Sequence, residues 1–401
     1  MSIGGRQKKL NDADKFIIRK AVLELAKKGT PRFTSIDDDV RTLPKAASKA
    51  INLWDYVTAI GAQLSRPPYD PYRETINLDI SIGRKKARKV SLNIPLIIYS
   101  NIAINYSSLE SVHLALNRLA EKGNVLGLIS ETEINTTKNN KRKYPLFKKV
   151  PSYRNDSVEH YQKSCPEGLV MEYKDQTSLR MLQNFRKEFD GPILVDVSEV
   201  FPMDTKIILE EGADGIIVDT DKVTKNDRYK GKHAIAVIYD ARNAIKDYYK
   251  GRDENENDNN ATLVIAGDVN SAGKIIKAAA LGANVIGYST SMLIAHSNMY
   301  SEKPSNVSSI ADNVYSHMVG TKGEIKGIPA ALGYSDFHNL SSSDLRTSSI
   351  DASLQGNIPL EGVDRTYREM VEEIVNEYVN EKGIRLNSLE TQQILRFMVS
   401  E

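Results

Sequence analysis

Residues 262–291, TLVIAGDVNSAGKIIKAAALGANVIGYSTS, place small and polar side chains where two apolar runs end, a composition suited to holding an anion. The first run leads into Gly267, Asn270 and Ser271, and the second opens into Gly287, Ser289 and Thr290. Glycines let a ligand approach the backbone, hydroxyls and amides hydrogen-bond a phosphate, and a helix N-terminus adds its free N–H groups and positive dipole. Between the runs, Ile275, Ile276, Ala279 and Ala280 recur at helical spacing, with Gly282 as the stop. Apolar run, helix and apolar run together predict a parallel βαβ unit. In a (β/α)8 barrel the last two strand ends commonly form a phosphate site. An ordinary buried βαβ unit with glycines at its turns uses the same residues, so the surrounding elements must decide.

Those elements follow a regular rhythm from Pro95 onward. The runs PLIIYSN, NVLGLISE, PLFKKVPS, GLVMEYK, PILVDVSE, GIIVDTD, TLVIAGDV and NVIGYSTS are eight strand candidates. Helical segments such as SSLESVHLALNRLAEKG and TSLRMLQNFRKEF lie between them. Eight strands in that alternation fit a closed α/β barrel better than an open sheet, and such barrels put their sites at the strand C-terminal ends. Glu131, with Glu133 beside it, and Lys174, with Gln176, are then polar groups facing the barrel mouth. Lys174 suits a carboxylate or phosphate partner, although each of these also suits a plain strand-end position. A polar excursion, including a helix HAIAVIYDARNAIKDYYKG and a run RDENENDNN read as an exposed loop, separates the sixth and seventh strands.

The flanks divide the chain into an N-terminal helix and extended lead-in (1–90), the barrel (91–300) and a C-terminal helical tail (301–401). In the lead-in, DADKFIIRKAVLELAKKG reads as an amphipathic helix, Pro67 and Pro68 enforce extended backbone, NLDISIG alternates like a strand, and Trp54 is placed for packing. In the tail, Tyr367, Met370, Val371, Ile374, Tyr378 and Val379 form a helical stripe for docking on the barrel, with a homo-oligomer as the other use.

Composition excludes several classes of function. Lys+Arg 54 against Asp+Glu 52 gives a net charge of +2, which argues against a nucleic-acid binder. A single cysteine, Cys165, excludes a disulfide framework or a multi-thiolate site within the chain, and a structural role is expected for it. His113 falls on the apolar side of its helix, and His296, His317 and His338 lack metal spacing, so no metal is expected. The absence of a membrane-length apolar run or a signal-peptide core leads to the expectation of a cytoplasmic protein.

Several segments carry a family resemblance. GAQLSRPPYDPYRETINLDISIG, NIPLIIYSNIAINYSSLESVHLALNRLAEKG, ADGIIVDT, AGDVNSAGKIIKAAALGANVIGYSTSMLIA and GEIKGIPAALGYSDFHNLSSSDL resemble the FMN-binding, synthase-type domain of glutamate synthase, in particular its single-domain archaeal form. The similarity spans roughly residues 50 to 350. It implies an FMN across the strand ends, hydride transfer to the iminoglutarate formed from 2-oxoglutarate and ammonia, and an iron–sulfur cluster that delivers electrons. Ser100, Asn101 and Ala103 occupy the position of the family's flavin-contacting turn.

The chain departs from that pattern at chemically important points. Asp268 stands where the family has a second glycine, and a carboxylate about 4 Å from a phosphate would be repelled by roughly 4 kcal/mol at an effective dielectric of about 20. Asp196 stands where the family has a lysine that favours the reduced flavin, unless it pairs with a base such as Lys174. The glycine-rich loops after the fourth and sixth strands are replaced by KDQTSLR and DTDKVTKNDRYKGKH, and the cluster's cysteines are missing, so no iron–sulfur cluster is expected. Without an N-terminal cysteine nucleophile or a glutaminase domain, ammonia and electrons would have to come from separate glutaminase and electron-donor subunits. Two functions remain open: a glutamate-synthase-like FMN oxidoreductase, or a barrel that has lost FMN and binds another phosphorylated ligand or a partner protein.

Overall fold

The computed structural model describes residues 52–61, 66–84, 87–99, 106–131, 142–150, 165–201, 205–250, 260–269, 271–289 and 306–381, with the backbone alone at 106–108, 289 and 375–381. The lead-in contributes β1 (Val57–Ala59), β2 (Ile80–Ile82) and β3 (Val90–Leu92). The central strands are β4 (Leu96–Tyr99), β5 (Gly127–Ser130), β6 (Leu146–Val150), β7 (Gly168–Glu172), β8 (Ile193–Asp196), β9 (Gly215–Asp219), β10 (Thr262–Ala266) and β11 (Val285–Ser289). All eight pair in parallel in chain order, and β11 returns to β4, closing the barrel that the alternation predicts. Their runs are apolar at nearly every position because both faces are buried.

Each strand alternates between two cores. Ile97, Tyr99, Ile129, Phe147, Val170, Leu194, Ile217, Val264, Ala266 and Val285 fill the lumen. The opposite parity, including Ile98, Leu128, Met171, Val195, Val218, Ile265 and Ile286, packs against the surrounding helices. The antiparallel pair β2–β3 adds Ile82, Val90 and Leu92 to the lumen cluster and runs into the amino end of β4, plugging the end opposite the strand termini. Asp214 anchors the plug by accepting from the Arg84 N–H at 2.6 Å, while the Arg186 guanidinium sits 2.7 Å from its other oxygen.

The helices are α1 (Tyr106–Glu121), α2 (Gln176–Glu188), α3 (Thr205–Glu210), α4 (Thr220–Val223), α5 (Ala234–Tyr249), α6 (Ala272–Ala280), α7 (Val307–Ala331), α8 (Ile350–Gly356) and α9 (Tyr367–Glu381). The long α7 lies against α1 and α6. The strand β12 (Leu345–Thr347) pairs antiparallel with β1, so lead-in and tail meet. Arg66, from the QLSRPP segment, strengthens that junction: its guanidinium lies 4.0 Å from the centre of the Tyr334 ring and 3.1 Å from Asp344.

Several expectations fall differently. Trp54 is fully buried, as packing requires. Cys165, expected to be structural, is exposed, with φ 45°. Val371 is buried while Ile374 is 61% exposed, so the apolar stripe of α9 is only partly covered. The N-terminal amphipathic helix, the 251–259 loop and the last helix of the tail lie outside the described residues. Among the described residues no helix is long and apolar enough to cross a membrane.

Candidate functional site at the carboxyl rim

Strand periodicity builds the site. Stepping two residues beyond each lumen-facing position leads from Ile97 to Tyr99, Ile129 to Glu131, Phe147 to Lys149, Val170 to Glu172, Leu194 to Asp196, Ile217 to Asp219, Ala266 to Asp268, and Val285 to Gly287. An apolar lumen therefore gives way at the carboxyl rim to a ring in which every member but Gly287 is titratable. Five of its eight members are carboxylates, and lysines from the ring and its borders offset them.

The first network crosses the mouth. The Tyr99 hydroxyl donates to Asp196 Oδ2 at 2.6 Å, and Asp196 Oδ1 accepts from the Ser198 N–H at 3.1 Å and from the Ser198 hydroxyl. Lys222 Nζ, on α4, lies 3.6 Å from Asp196 Oδ2. Burial, then the Asp196 charge, pushes the Tyr99 phenol well above its ordinary range. At neutral pH Tyr99 therefore keeps its proton and Asp196 is a buried, fully partnered acceptor. Asp196 does pair with a base, the alternative left open by the sequence, but that base is Lys222 rather than Lys174, because α4 follows the neighbouring β9.

The second network runs along the rim. Lys149 Nζ lies 2.8 Å from Glu131 and 2.7 Å from Glu172, with its side chain only 6% exposed. Burial alone would lower the lysine's pKa, but hydrogen bonds to Glu131 and Glu172 outweigh it and the value is raised. Lys174 sits farther out, 44% exposed, with looser partners at 3.6 Å (Glu199) and 4.0 Å (Glu172). It is the more available of these two cations.

The third cluster lies where β10 and β11 end. Gly267 has φ +102°, and a Cβ there would fall 2.4 Å from Thr220 Oγ1 and 2.8 Å from the Asp221 nitrogen. Gly287 would place a Cβ 2.9 Å from Ala266 Cβ. Close packing of the chain on itself thus accounts for both glycines. Asp268 Oδ1 is 2.6 Å from Lys274 Nζ, and Ser271 caps α6 by accepting from the Lys274 N–H at 3.3 Å. Burial, with the Asp219 and Asp268 charges behind it, raises the Asp221 pKa. Nearby, burial lowers the His233 pKa to about 4.

The structure thus brings Glu131, Lys174, Asp196, Gly267, Asp268 and Gly287 to one rim. Only the backbone of Ser289 is described, and Ser100, Asn101, Asn270 and Thr290 lie outside the described residues. Tyr99, Lys149, Glu172, Asp219, Lys222 and Lys274 were not singled out from sequence. Counting in twos along each strand identifies the first four; Lys222 and Lys274 lie on helices and follow no such pattern. His113 is a core residue hydrogen-bonded to Tyr144, and His317 is bonded to Tyr288 at 3.0 Å. Among the described residues no three His, Cys, Asp or Glu side chains are grouped to hold a metal.

No protein-family model matches the chain, and no curated protein matches it in sequence. Solved structures do match. The recombinant flavin-binding domain of baker's yeast flavocytochrome b2 aligns with a TM-score of 0.52 at 14% identity, over 84% of this chain and 91% of that chain. A mandelate oxidase variant with a monooxide FMN adduct gives 0.50 at 13% identity, over 71% and 86%. An (S)-mandelate dehydrogenase variant gives 0.50 at 14%, over 82% and 99%. At these identities the shared property is the fold: this chain has the closed (β/α)8 architecture of those flavoenzymes.

Proposed function

We propose that the chain is an FMN-dependent oxidoreductase of (β/α)8 type that acts on a small carboxylate-bearing substrate at the carboxyl rim. The observation that carries this reading is Lys274 at the amino end of α6, beside the ends of β10 and β11 in a closed barrel. Lys274 and the first N–H groups of α6 are the groups that would hold the cofactor's phosphate, and Lys222 is the cation beside the Tyr99–Asp196 pair. The donor set fits FMN on one condition: a dianion must take the place of Asp268 beside Lys274.

FMN, when bound, supplies the hydride-transfer chemistry. The chain supplies position and charge. Tyr99 and Asp196 close the lumen beneath the site and hold a proton on the phenol. Lys149 remains charged but is neutralised by two carboxylates, whereas exposed Lys174 is free enough to meet a substrate carboxylate. The sequence resemblance supports a finer proposal: glutamate-synthase-type amination of 2-oxoglutarate, with ammonia and electrons delivered by separate subunits.

A second reading, a barrel that has given up FMN for another phosphorylated ligand or a partner protein, is favoured by one observation. The faces of Gly267 and Gly287 that would admit a ligand are filled by Thr220, Asp221 and Ala266. Titration of the purified chain with FMN, read by flavin fluorescence quenching and absorbance, separates the two. Saturable one-to-one binding is expected; a chain that leaves FMN free at high micromolar concentration overturns the first reading.

A further inference from the structure

We infer that Asp268 is a built-in counter-ion that occupies the anion end of the rim, and that a ligand phosphate binds by exchanging with it at Lys274. This rests on the reading of the β10–β11 rim as the anion end, and concerns which groups set its affinity. Lys274 is only 12% exposed, and its charge is met by the Asp268 carboxylate at 2.6 Å. Among the described residues no other carboxylate is within ion-pair distance of Lys274. Asp268 is 40% exposed, so it can swing into solvent while its own N–H stays bonded to Thr220 Oγ1 at 3.2 Å. The lysine, by contrast, rises from the first turn of α6, whose backbone is fixed by the Ser271 cap. One partner is movable and the other is held, which is the arrangement an exchange needs.

Charge sets the selectivity. A group entering beside Lys274 approaches Asp221 and Asp219 as well, since the Asp221 nitrogen is 3.0 Å from Asp219 Oδ1 and both lie against Gly267. A monoanion gains little over the carboxylate it displaces, whereas a phosphate dianion, although repelled more by Asp219 and Asp221, brings a second charge and more acceptor oxygens to Lys274 and the α6 amino end, which offset that repulsion. Asp268 therefore excludes weak anions and admits those that bind strongly enough to displace it.

The test uses the full chain with inorganic phosphate and FMN as separate probes, measured by calorimetry and by flavin fluorescence. In Asp268→Asn, which keeps the backbone bond to Thr220, affinity for phosphate should rise by about tenfold or more, the like-charge repulsion being discounted for the exposure of Asp268. Lys274→Met should abolish that gain in the double variant, and Lys274→Arg should retain it. Phosphate affinity unchanged in Asp268→Asn, or a gain that survives Lys274→Met, overturns the inference. If phosphate binding tightens but no variant takes up FMN, the exchange stands and the flavin reading fails; if the unaltered chain binds FMN and Asp268→Asn binds it equally, the reverse holds.

Discussion

Tyr99 and Asp196 sit on strands that face each other across the barrel, four places apart in the closed order of eight, and their side chains meet at 2.6 Å. Such a bond requires closure, because strands so far apart in an open sheet would be separated by roughly 19 Å. It places the last layer of the lumen directly under the mouth. Whatever binds at the rim rests on a hydrogen-bonded floor.

Replacing Tyr99 with Phe tests that floor. The ring and its packing remain while Asp196 loses one donor and keeps Ser198 and Lys222. Hydrogen bonds to buried charged groups contribute about 1.5–3 kcal/mol, so Tyr99→Phe should lower unfolding free energy by about 2 kcal/mol in urea titrations. An effect under about 0.5 kcal/mol would show that Ser198 and Lys222 alone satisfy the carboxylate.

Lys149 poses a different question, because two carboxylates share it. Lys149→Met keeps much of the side-chain volume but leaves Glu172, 20% exposed, and Glu131, 54% exposed, without their common cation. Removing one partner of a fully buried pair costs about 3–5 kcal/mol; the solvent access of Glu131 reduces the expected loss here to about 2–3 kcal/mol at pH 7. A loss under about 0.5 kcal/mol in urea titrations would show that solvent and Lys174 compensate the two carboxylates without Lys149.

The barrel was legible because strands buried on both faces show as apolar runs; β6, LFKKV, is interrupted by Lys148 and Lys149 and reads as a strand chiefly from its place in the alternation. The second strand of the plug was not legible, since Val90–Leu92 is three residues long and follows a basic run. Polar strand ends announced Glu131, Lys174 and Asp196, but their partners depend on which strands are neighbours and on register. Lys149 reaches Glu131 and Glu172 because β6 lies between β5 and β7, which no local pattern encodes. The glycines at 267 and 287 had two equally good sequence explanations, an open cradle or tight packing. Contacts with Thr220, Asp221 and Ala266 give the packing explanation at both positions.

His233 offers a pH signature for this side of the barrel. Its Nδ1 accepts from the Ile235 N–H at 3.3 Å, capping α5, and its Nε2 faces Asn52 Oδ1 at 3.1 Å, so the fold requires a neutral imidazole with its proton on Nε2. Protonation at Nδ1 would break the cap. Burial sets the folded pKa at about 4, below the 6.5 of an ordinary histidine, with the Asp268 charge opposing the shift. Because this pKa is depressed for a base, the unfolded chain binds more protons between those two values. Stability is then fully present above about pH 6.5 and falls as pH drops toward 4, by on the order of 2 kcal/mol after allowing for partial exposure. His233→Asn should preserve the cap, since asparagine is a preferred N-cap residue, and remove the titration. Denaturation midpoints of parent and variant between pH 4 and pH 7 check this. The parent should lose stability more steeply toward acid, and parallel curves would mean that His233 does not titrate in this range.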